Sequence, residues 1–391
     1  MPDPVPARFA VPGLARAFHA TVPGYRPTPL VGLPGLAASL GVAQVWVKDE
    51  EDRFGLPAFK ILGASWAVNR ALSARAGHLA PAGSLDELRR RTAGSAVTLV
   101  TATDGNHGRA VAWMARLVGV RARVYLPEGV GSGAVDAIAH EGAEVVRTSL
   151  VYDQVVQTAA RSVDGRPDDL LMQDTSWPGY EDIPRWIVDG YSTLFAEIDD
   201  QIDDQIDAGV DVLVVPTGVG SLLQAALLHY RSPARADRPA VLAVEPATAA
   251  CVTASLSAGR PITVDTSSPT AMAGLNCGTV SAIAWPVISA GLDAAVGVSE
   301  DQARSALTDL HTAGVPVGPC GAAALAGLRV AAGDPEPARA LGLGTRSVVV
   351  LVSTEGIAAN PVPADSDAAD ASSSPDHDLD RDYGRIPTQH D

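Results

Sequence analysis

Short runs of β-branched residues alternate with stretches of helical periodicity along most of this chain. The alternation is typical of β-α-β units, in which helices cover the faces of a buried parallel sheet. Strands are predicted at 44–48, 97–101, 121–126, 211–215, 241–245 and 347–352. A helical pattern follows each of the first five, as at 108–118 and 222–230. The sequence therefore predicts an α/β fold with a parallel-sheet core flanked by helices.

Length, charge and cysteine content narrow the class of protein. A chain of 391 residues with 47% hydrophobic content can bury a large core in two lobes. No apolar stretch approaches the ~20 residues of a membrane span, and no signal-like start is visible, so we expect a cytoplasmic protein with no membrane partner. The net charge of -16 argues against a nucleic-acid partner. Three isolated cysteines provide neither a disulfide framework nor a metal-ligand spacing, so no metal is expected and the cysteines should be buried or line a site.

Two acidic segments stand apart from the rest. The segment after Pro361 contains eight Asp and two Arg and few apolar residues, so we expect residues 361–391 to form a disordered tail. Residues 1–360 should then form the main folded region, with a smaller lobe at roughly 62–190 and the larger lobe from the remainder. Isoleucine at every fourth position of 198–206 predicts a solvated helix with one apolar face.

Lysine is scarce, because only Lys48 and Lys60 occur in the chain. Lys48 lies in a predicted apolar strand, whereas Lys60 follows a turn that opens a helix. A desolvated lysine with a lowered pKa forms a Schiff base readily, and Lys60 fits this description better. A surface lysine whose stem covers apolar residues is an equally good interpretation of Lys60 from its local context.

A second polar turn follows the strand at 97–101. It reads Thr103-Asp-Gly-Asn-His107 and leads into an apolar helix, so its backbone N–H groups favour an anion. Asn106 offers both a donor and an acceptor. By itself the motif indicates a helix-capping role for Asp104 and a packing role for His107.

A third turn, Pro216-Thr-Gly-Val-Gly-Ser221, follows the strand at 211–215. Its backbone donors could cradle a phosphate. Leu223 occupies the third glycine position of a dinucleotide motif, which disfavours that class. Neither lysine is followed by Ser or Thr, which excludes a P-loop, and the S-x-x-K, H-E-x-x-H and G-x-S-x-G motifs are absent from the sequence.

The lysine, the asparagine turn and the glycine turn occur in the order found in a known group. From about Tyr25 to Gly356 the chain resembles the fold type II pyridoxal phosphate enzymes, the two-lobed group of tryptophan synthase β and the serine and threonine dehydratases. It is most similar to the diaminopropionate ammonia-lyases. That resemblance rests on four stretches: 54–63, 101–108, 173–184 with Gln-Asp-Thr-Ser-Trp-Pro-Gly-Tyr, and 272–278 with Met-Ala-Gly-Leu-Asn-Cys-Gly.

The resemblance implies a role for each matching residue. Lys60 would bind pyridoxal phosphate covalently, Asn106 would contact its phenolic oxygen, and Gly218, Val219, Gly220 and Ser221 would hold its phosphate. Ser353 or Thr354, at the end of the last strand, would meet its pyridine nitrogen, and the two remain open. Asp104, where dehydratases have Ser or Thr, would act as a second acid/base group on the face of the substrate opposite Lys60. Asp174 would bind the substrate's amino group.

The implied reaction is α,β-elimination of D- or L-2,3-diaminopropionate to pyruvate and ammonia, by an enzyme that is commonly a homodimer. The alternatives are a serine or threonine dehydratase, a β-replacement synthase and a non-catalytic amino-acid sensor. Asp104 and Asp174 argue against the first two alternatives. One stretch departs from the group: Gly318-Pro-Cys320-Gly stands where the ammonia-lyases usually have Gly-Glu-Ser-Gly, so an acidic and a hydroxyl side chain are missing from this turn.

Overall fold

The computed structural model describes residues 13–205 and 209–359. The predicted acidic tail and Ile206 lie outside the described residues. Ten strands form two sheets within the described ranges. The strands are β1 (Leu30–Gly32), β2 (Gln44–Asp49), β3 (Thr98–Ala102), β4 (Arg121–Leu126), β5 (Glu144–Arg147), β6 (Asp169–Leu171), β7 (Val212–Pro216), β8 (Ala240–Pro246), β9 (Ala294–Val298) and β10 (Val348–Ser353).

The larger sheet has six strands in the order β1-β2-β10-β7-β8-β9. All neighbours pair in parallel except β1, which runs antiparallel to β2 at the edge. The smaller sheet has four parallel strands in the order β5-β4-β3-β6, and all of them lie within the segment predicted as the smaller lobe. β3, β7 and β10 are buried along their whole length, as expected for parallel strands covered on both faces.

Helices cover these sheets. They are α1 (Leu14–His19), α2 (Pro34–Leu40), α3 (Lys60–Arg75), α4 (Leu85–Thr92), α5 (Asn106–Val118), α6 (Ser132–His140), α7 (Tyr152–Ser162), α8 (Asp182–Gln205), α9 (Ser221–Tyr230), α10 (Cys251–Ala258), α11 (Trp285–Gly291), α12 (Glu300–Thr312), α13 (Pro319–Gly333) and α14 (Pro335–Ala340). Two short 3₁₀ turns complete the described structure, at Ala247–Ala249 and Ala273–Leu275. In the described ranges no helix combines the length and the apolar character needed to cross a membrane.

Close packing of α3 against α8 fixes the start of α3. A methyl group on Gly63 of α3 would lie 2.5 Å from the Tyr191 ring of α8, and one on Gly190 would lie 2.4 Å from the carbonyl oxygen of Leu62. Only glycine at these two positions allows the helices to come this close. Lys60, the first residue of α3, is therefore held by a rigid pair of helices.

All six predicted strands are present with bounds within one residue of the prediction. Four strands, β1, β5, β6 and β9, were not predicted from the sequence. β1 and β6 have three residues each, β5 is a half-exposed edge strand, and β9 reads Ala-Ala-Val-Gly-Val. Such short or small-residue strands lack the buried β-branched run that marks a central strand.

The acidic isoleucine repeat forms the last part of α8. Ile198 and Ile202 are buried, whereas Asp200, Asp203 and Asp204 are exposed, so the predicted solvated helix with one apolar face is present up to Gln205.

Candidate functional site

A cavity lies where three strand-to-helix connections meet the segment that follows β10. Its walls come from the starts of α3, α5 and α9 and from the residues after β10. Among the lining residues are most of the predicted site residues: Lys60, Asp104, Asn106, Asp174, Gly218, Val219, Gly220, Ser221 and Thr354. Ser353 is 1% exposed and does not line the cavity. The position agrees with the rule that ligands of parallel sheets bind beyond the carboxyl ends of the strands.

Lys60 and Asp174 form an ion pair in this cavity. The Nζ atom of Lys60 lies 2.7 Å from Oδ2 of Asp174, and the two side chains are 20% and 5% exposed. Burial alone would lower the pKa of Lys60, but the carboxylate of Asp174 outweighs it and raises this pKa above its ordinary value. For Asp174, burial alone would raise the pKa, but the Lys60 ammonium outweighs it and lowers this pKa to about 2.

Two expectations about Lys60 are therefore wrong for this state of the protein. The side chain does not lie on the surface, because it is largely buried against Asp174. Its pKa is raised instead of lowered, because a buried carboxylate stands beside it. Removal of this pairing is a requirement for the amine to become a nucleophile.

Lys48 has a different environment. Its Nζ lies 2.8 Å from Oε2 of Glu197, both side chains are fully buried, and the carbonyl oxygen of Thr28 and the Gln201 side chain accept further hydrogen bonds from it. Every donor of this ammonium is used, and Lys48 is not among the cavity residues. Lys60 is thus the lysine that faces the cavity.

Asp104 lies in the turn between β3 and α5. Burial raises its pKa to about 6, the nearby Lys60 ammonium opposes the shift, and Asp174 adds to it. A carboxyl group with a pKa of about 6 exchanges protons near neutral pH, as a general base or acid must. The helix-capping role expected for Asp104 from the motif alone is wrong, since Gly105 is the N-cap residue of α5 and no side-chain cap hydrogen bond is made there.

Glu355 was not predicted as a site residue, and it connects two parts of the cavity wall. Its Oε2 accepts a hydrogen bond of 2.7 Å from Nδ2 of Asn106, and its Oε1 accepts one of 3.2 Å from the backbone N–H of Cys320. The second contact lies in the turn that departs from the ammonia-lyase pattern. A carboxylate is therefore present at this turn, although it comes from the end of β10.

The glycine turn after β7 has the geometry of an anion cradle. None of the backbone N–H groups of residues 218–221 donates a hydrogen bond to any described residue. Gly220 has φ +94°, a left-handed conformation that favours glycine, and it directly precedes α9. Gly218 is crowded as well, because a methyl group there would lie 3.0 Å from Sγ of Cys277. Four unpaired donors at a helix N-terminus suit the phosphate of a cofactor.

Side-chain hydroxyls at the cavity differ in their availability. The Oγ of Ser221 donates to the carbonyl oxygen of Asp174 at 2.8 Å, which links the glycine turn to the ion pair. The Oγ1 of Thr354 is buried at the cavity without a partner among the described residues. Ser353 is directed toward the carbonyl oxygen of Glu355 and toward Gly321, so of the two hydroxyls Thr354 is the one that faces the cavity.

Several cavity residues were missed or only partly anticipated from the sequence. Tyr152, the first residue of α7, accepts a hydrogen bond of 3.2 Å from Gln173, and no local motif marks it. Cys277 and Cys320 line the cavity, and all three cysteines are buried and unpaired, in agreement with the expectation. Gly274, Leu275 and Cys277 also line the cavity. They belong to the 272–278 stretch that resembles the ammonia-lyases, and that resemblance was the sequence signal for them.

Known proteins similar to this chain share its sequence pattern and its fold. The model of the family described as pyridoxal-phosphate dependent enzyme matches residues 21–354. Diaminopropionate ammonia-lyase of Salmonella typhimurium is 38% identical over 279 residues, which cover 70% of this chain and 68% of that protein. A biosynthetic L-threonine dehydratase of Mycobacterium bovis is 28% identical over 328 residues, covering 82% of this chain and 68% of the relative.

Solved structures agree with this pattern. The crystal structure of diaminopropionate ammonia lyase from Escherichia coli in complex with D-serine has a TM-score of 0.83 and 31% sequence identity, and the match covers 91% of each chain. The same enzyme in complex with an aminoacrylate-PLP azomethine reaction intermediate has a TM-score of 0.80 and 32% identity, with 92% of each chain covered. Maize serine racemase, at 22% identity and a TM-score of 0.70, shares the fold.

Proposed function

Because the chain belongs to the pyridoxal-phosphate dependent enzymes and, within them, to the diaminopropionate ammonia-lyase family, we propose that it converts 2,3-diaminopropionate to pyruvate and ammonia. The observation that carries the proposal is the grouping of Lys60, Asp104 and Asp174 at one cavity beside a turn of unpaired N–H donors. A β-ammonium substrate is a cation, and buried carboxyl groups at this place suit a cation.

The described residues fit pyridoxal phosphate. We propose that the N–H groups of residues 218–221 bind its phosphate, that Thr354 donates to its ring nitrogen and that Asn106, oriented by Glu355, donates to its phenolic oxygen. Lys60 is the residue for its covalent attachment. When bound, the cofactor makes the Cα proton of an amino acid acidic by taking up the negative charge that forms on Cα.

Lys60 and Asp104 are the proposed proton-transfer groups. Lys60 takes the Cα proton from one enantiomer, and Asp104 takes it from the other, on the opposite face of the substrate. Support for Asp104 comes from its raised pKa of about 6, since a base with this pKa is ionised at neutral pH and still accepts a proton readily.

Asp174 is the proposed partner of the substrate's amino group. The ammonium group of Lys60 lies 2.7 Å from Oδ2 of this buried carboxylate, so the position is suited to a cation. Gln173 supports this orientation by donating to Oδ1 of Asp174 at 3.3 Å. The carboxylate keeps the leaving β-nitrogen protonated, which allows it to depart as neutral ammonia.

Pyruvate release from a panel of four substrate types tests the proposal. Purified protein with pyridoxal phosphate should release pyruvate from D- and L-diaminopropionate with a higher kcat/KM than from serine, and threonine should give little 2-oxobutyrate. Activity on serine or threonine alone would make the chain a dehydratase. Cofactor binding without turnover of any of them would indicate an amino-acid sensor.

We further propose that the protein acts as a homodimer in the cytoplasm. The support is the family resemblance for the dimer and, for the cytoplasm, three buried unpaired cysteines, which suit a reducing compartment. Light scattering coupled to size-exclusion chromatography should give twice the chain mass of 40.2 kDa. A mass of one chain would contradict the dimer.

A further inference from the structure

The side chain of Glu355 joins the starts of two helices at the cavity. Its Oε1 accepts a hydrogen bond of 3.2 Å from the backbone N–H of Cys320, the second residue of α13. Its Oε2 accepts one of 2.7 Å from Nδ2 of Asn106, the first residue of α5. Glu355 is 2% exposed and lines the cavity. One buried carboxylate therefore ties the first turn of α13 to the amide that we place beside the cofactor.

The position of this carboxylate is fixed by close packing and by the backbone around it. The carbonyl oxygen of Glu355 accepts a hydrogen bond of 2.9 Å from the N–H of Gly318, and that of Thr354 accepts one of 3.2 Å from the N–H of Phe59. A methyl group on Gly318 would lie 2.9 Å from both Cγ and Oε1 of Glu355. The side chain thus lies directly on the turn before α13, where close packing leaves it little freedom to move.

A carboxylate at this place decides which end of the Asn106 amide faces the cavity. Carboxylate oxygens only accept hydrogen bonds, whereas an amide has a donor end at Nδ2 and an acceptor end at Oδ1. With Glu355 beside it, the amide must direct Nδ2 toward Oε2, as it does. Nδ2 has a second N–H, which is the donor that we assign to the phenolic oxygen. An amide turned the other way would present Oδ1 there, and two acceptors cannot bond to each other.

The turn before α13 has no side chain that could do this itself. Pro319 and Cys320 stand where the ammonia-lyases usually have an acidic and a hydroxyl residue. Gly318, the N-cap residue of α13, makes no side-chain cap hydrogen bond. Glu355 provides both missing functions from the end of β10, because it brings a carboxylate to the cavity and an acceptor to an N–H of the first helical turn.

We propose that Glu355 is a positioning residue for the cofactor, which acts by holding Nδ2 of Asn106 as the donor to the phenolic oxygen. The inference rests on the proposed function, from which it takes the contact between Asn106 and pyridoxal phosphate. Glu355 itself does not touch the cofactor in this arrangement, so its whole effect on cofactor binding passes through the amide.

Glu355→Gln reverses the polarity of this contact with almost no change of shape. The backbone N–H of Cys320 is a fixed donor, so the new side-chain oxygen should remain on it. The new amide nitrogen then replaces Oε2 and meets Nδ2 of Asn106, and these two donors pair only if Asn106 turns its amide over. The affinity for pyridoxal phosphate should fall about tenfold or more, the equivalent of one hydrogen bond to a charged group.

A cofactor analogue separates positioning from support of the fold. 3-Deoxypyridoxal phosphate lacks the phenolic oxygen but keeps the aldehyde, the ring nitrogen and the phosphate. The dissociation constants of both compounds are measured on the apoprotein from the absorbance change on binding. Glu355→Gln should lose affinity for pyridoxal phosphate and keep nearly all of its affinity for the analogue. Equal losses for the two compounds, or no loss for either, would overturn the role of Glu355.

Two further variants test the route of the effect. In an Asn106→Ala background, Glu355→Gln should cause no additional loss of affinity for pyridoxal phosphate, and a second loss of similar size would show that Glu355 acts without the amide. Glu51→Gln is the matched control, because the Glu51 side chain packs against the adjacent Gly356 and is not among the cavity residues. It should bind both compounds like the wild type, and a selective loss there would remove the special place of Glu355.

An exchanged pair keeps the test valid if Glu355→Gln alone folds poorly. Asn106→Asp combined with Glu355→Gln restores one donor and one acceptor between the two side chains, but it offers the phenolic oxygen no donor. This double variant should unfold like the wild-type apoprotein and bind pyridoxal phosphate weakly, and wild-type affinity would contradict the proposal. The binding measurements need no turnover. Protein that binds the cofactor but releases no pyruvate from diaminopropionate contradicts the proposed function, whereas the affinities still decide the role of Glu355.

Discussion

At the scale of single residues, two carboxyl groups in one cavity have pKa values shifted in opposite directions. Burial raises the pKa of Asp104 to about 6, and Lys60, against the effect of burial, lowers the pKa of Asp174 to about 2. Environments that separate the pKa values of neighbouring groups also separate their roles. Asp104 is suited to exchange a proton, and Asp174 is suited to remain a fixed negative charge.

Asp104→Asn tests the proton-transfer role. The amide cannot accept the Cα proton, so turnover of D-diaminopropionate should fall by about 10²- to 10⁴-fold, the usual range for such a group. L-Diaminopropionate, whose proton we assign to Lys60, should be affected far less. Stopped or coupled assays of pyruvate with each enantiomer give the comparison, and equal losses for the two would contradict a separate role for Asp104.

The pH dependence of the D-substrate follows from the same group. A base must be unprotonated to act, and Asp104 loses its proton as the pH rises through about 6. Activity on D-diaminopropionate should therefore fall as the pH drops below about 6. Profiles of kcat/KM against pH for the wild type and for Asp104→Glu check this prediction. The longer side chain places the carboxylate differently, so the pH of the acidic limb should shift. An acidic limb that does not move would mean that another group causes it.

The two lysines provide a matched comparison. Lys60→Ala should abolish pyruvate release and the visible absorbance of the cofactor that is covalently linked to lysine. Lys48→Ala should keep that absorbance but reduce the free energy of unfolding by about 3–5 kcal/mol, because it leaves Glu197 buried without one of its cations. Visible spectra and denaturant unfolding separate the two effects, and the opposite pattern would assign the cofactor to Lys48.

At the scale of elements, the starts of helices supply most of the chemistry. Lys60, Asn106 and Ser221 are the first residues of α3, α5 and α9. A glycine with positive φ directly precedes two of these helices, Gly105 before α5 and Gly220 before α9. The predicted anion-binding role of the third turn depends on this local geometry.

Gly220→Ala should weaken cofactor binding about tenfold or more, comparable to the loss of one hydrogen bond to a charged group. An alanine here has an unfavourable φ of +94°, and its methyl group lies 2.8 Å from Cδ1 of Ile288. Gly259→Ala is the matched control, since Gly259 also has a positive φ but open space around it and ends α10 away from the cavity. Titration of both variants with pyridoxal phosphate measures the difference, and similar affinities would contradict the cradle.

The local features of these elements were predictable, but their assembly was not. Strands with buried β-branched residues and glycine turns after strands carry short-range signals, which is why Lys60, Asn106 and residues 218–221 could be identified. The hydrogen bond between Asn106 and Glu355 joins residues 249 positions apart, and the Lys60–Asp174 pair joins residues 114 positions apart. Such contacts depend on strand order and helix packing, so the raised pKa of Lys60 could not be inferred from its sequence neighbours.

At the scale of the whole molecule, buried ionisable groups set the response to acid. Burial lowers the pKa of His19 to about 3, and Arg53 and Lys48, against the effect of burial, lower the pKa of Glu197 below 4.5. Both groups bind a proton more weakly in the folded chain than in the unfolded chain. The stability they contribute is therefore present at high pH and is lost as the pH falls through the folded pKa values.

Other groups act in the opposite sense at mildly acidic pH. Burial raises the pKa values of Asp49, Asp104 and Asp189 to about 6, so protonation of these carboxyl groups favours the folded chain as the pH falls from 6 toward 4. Between pH 6 and 4 these three carboxyl groups outweigh His19, so the free energy of unfolding should not fall there, and it should fall below pH 4. Denaturant titrations at stepped pH test this, and a steady loss from pH 7 downward would contradict it.

Glu197→Gln should flatten the steep part of this curve, because it removes one of the groups that must be protonated. It should also destabilise the fold at neutral pH by about 3–5 kcal/mol, as expected when one partner of a buried ion cluster is lost. Asp301→Asn breaks an exposed pair with Arg304 and should cost less than about 1 kcal/mol.

Covalent attachment of the cofactor to Lys60 is the central claim, and it can be measured directly. The holoprotein is treated with borohydride, digested and mapped by mass spectrometry. With two lysines in the chain, the reduced cofactor can be found on Lys60, on Lys48 or on neither. We predict full modification of the peptide that contains Lys60 and none of the peptide that contains Lys48; an unmodified Lys60 would contradict the account.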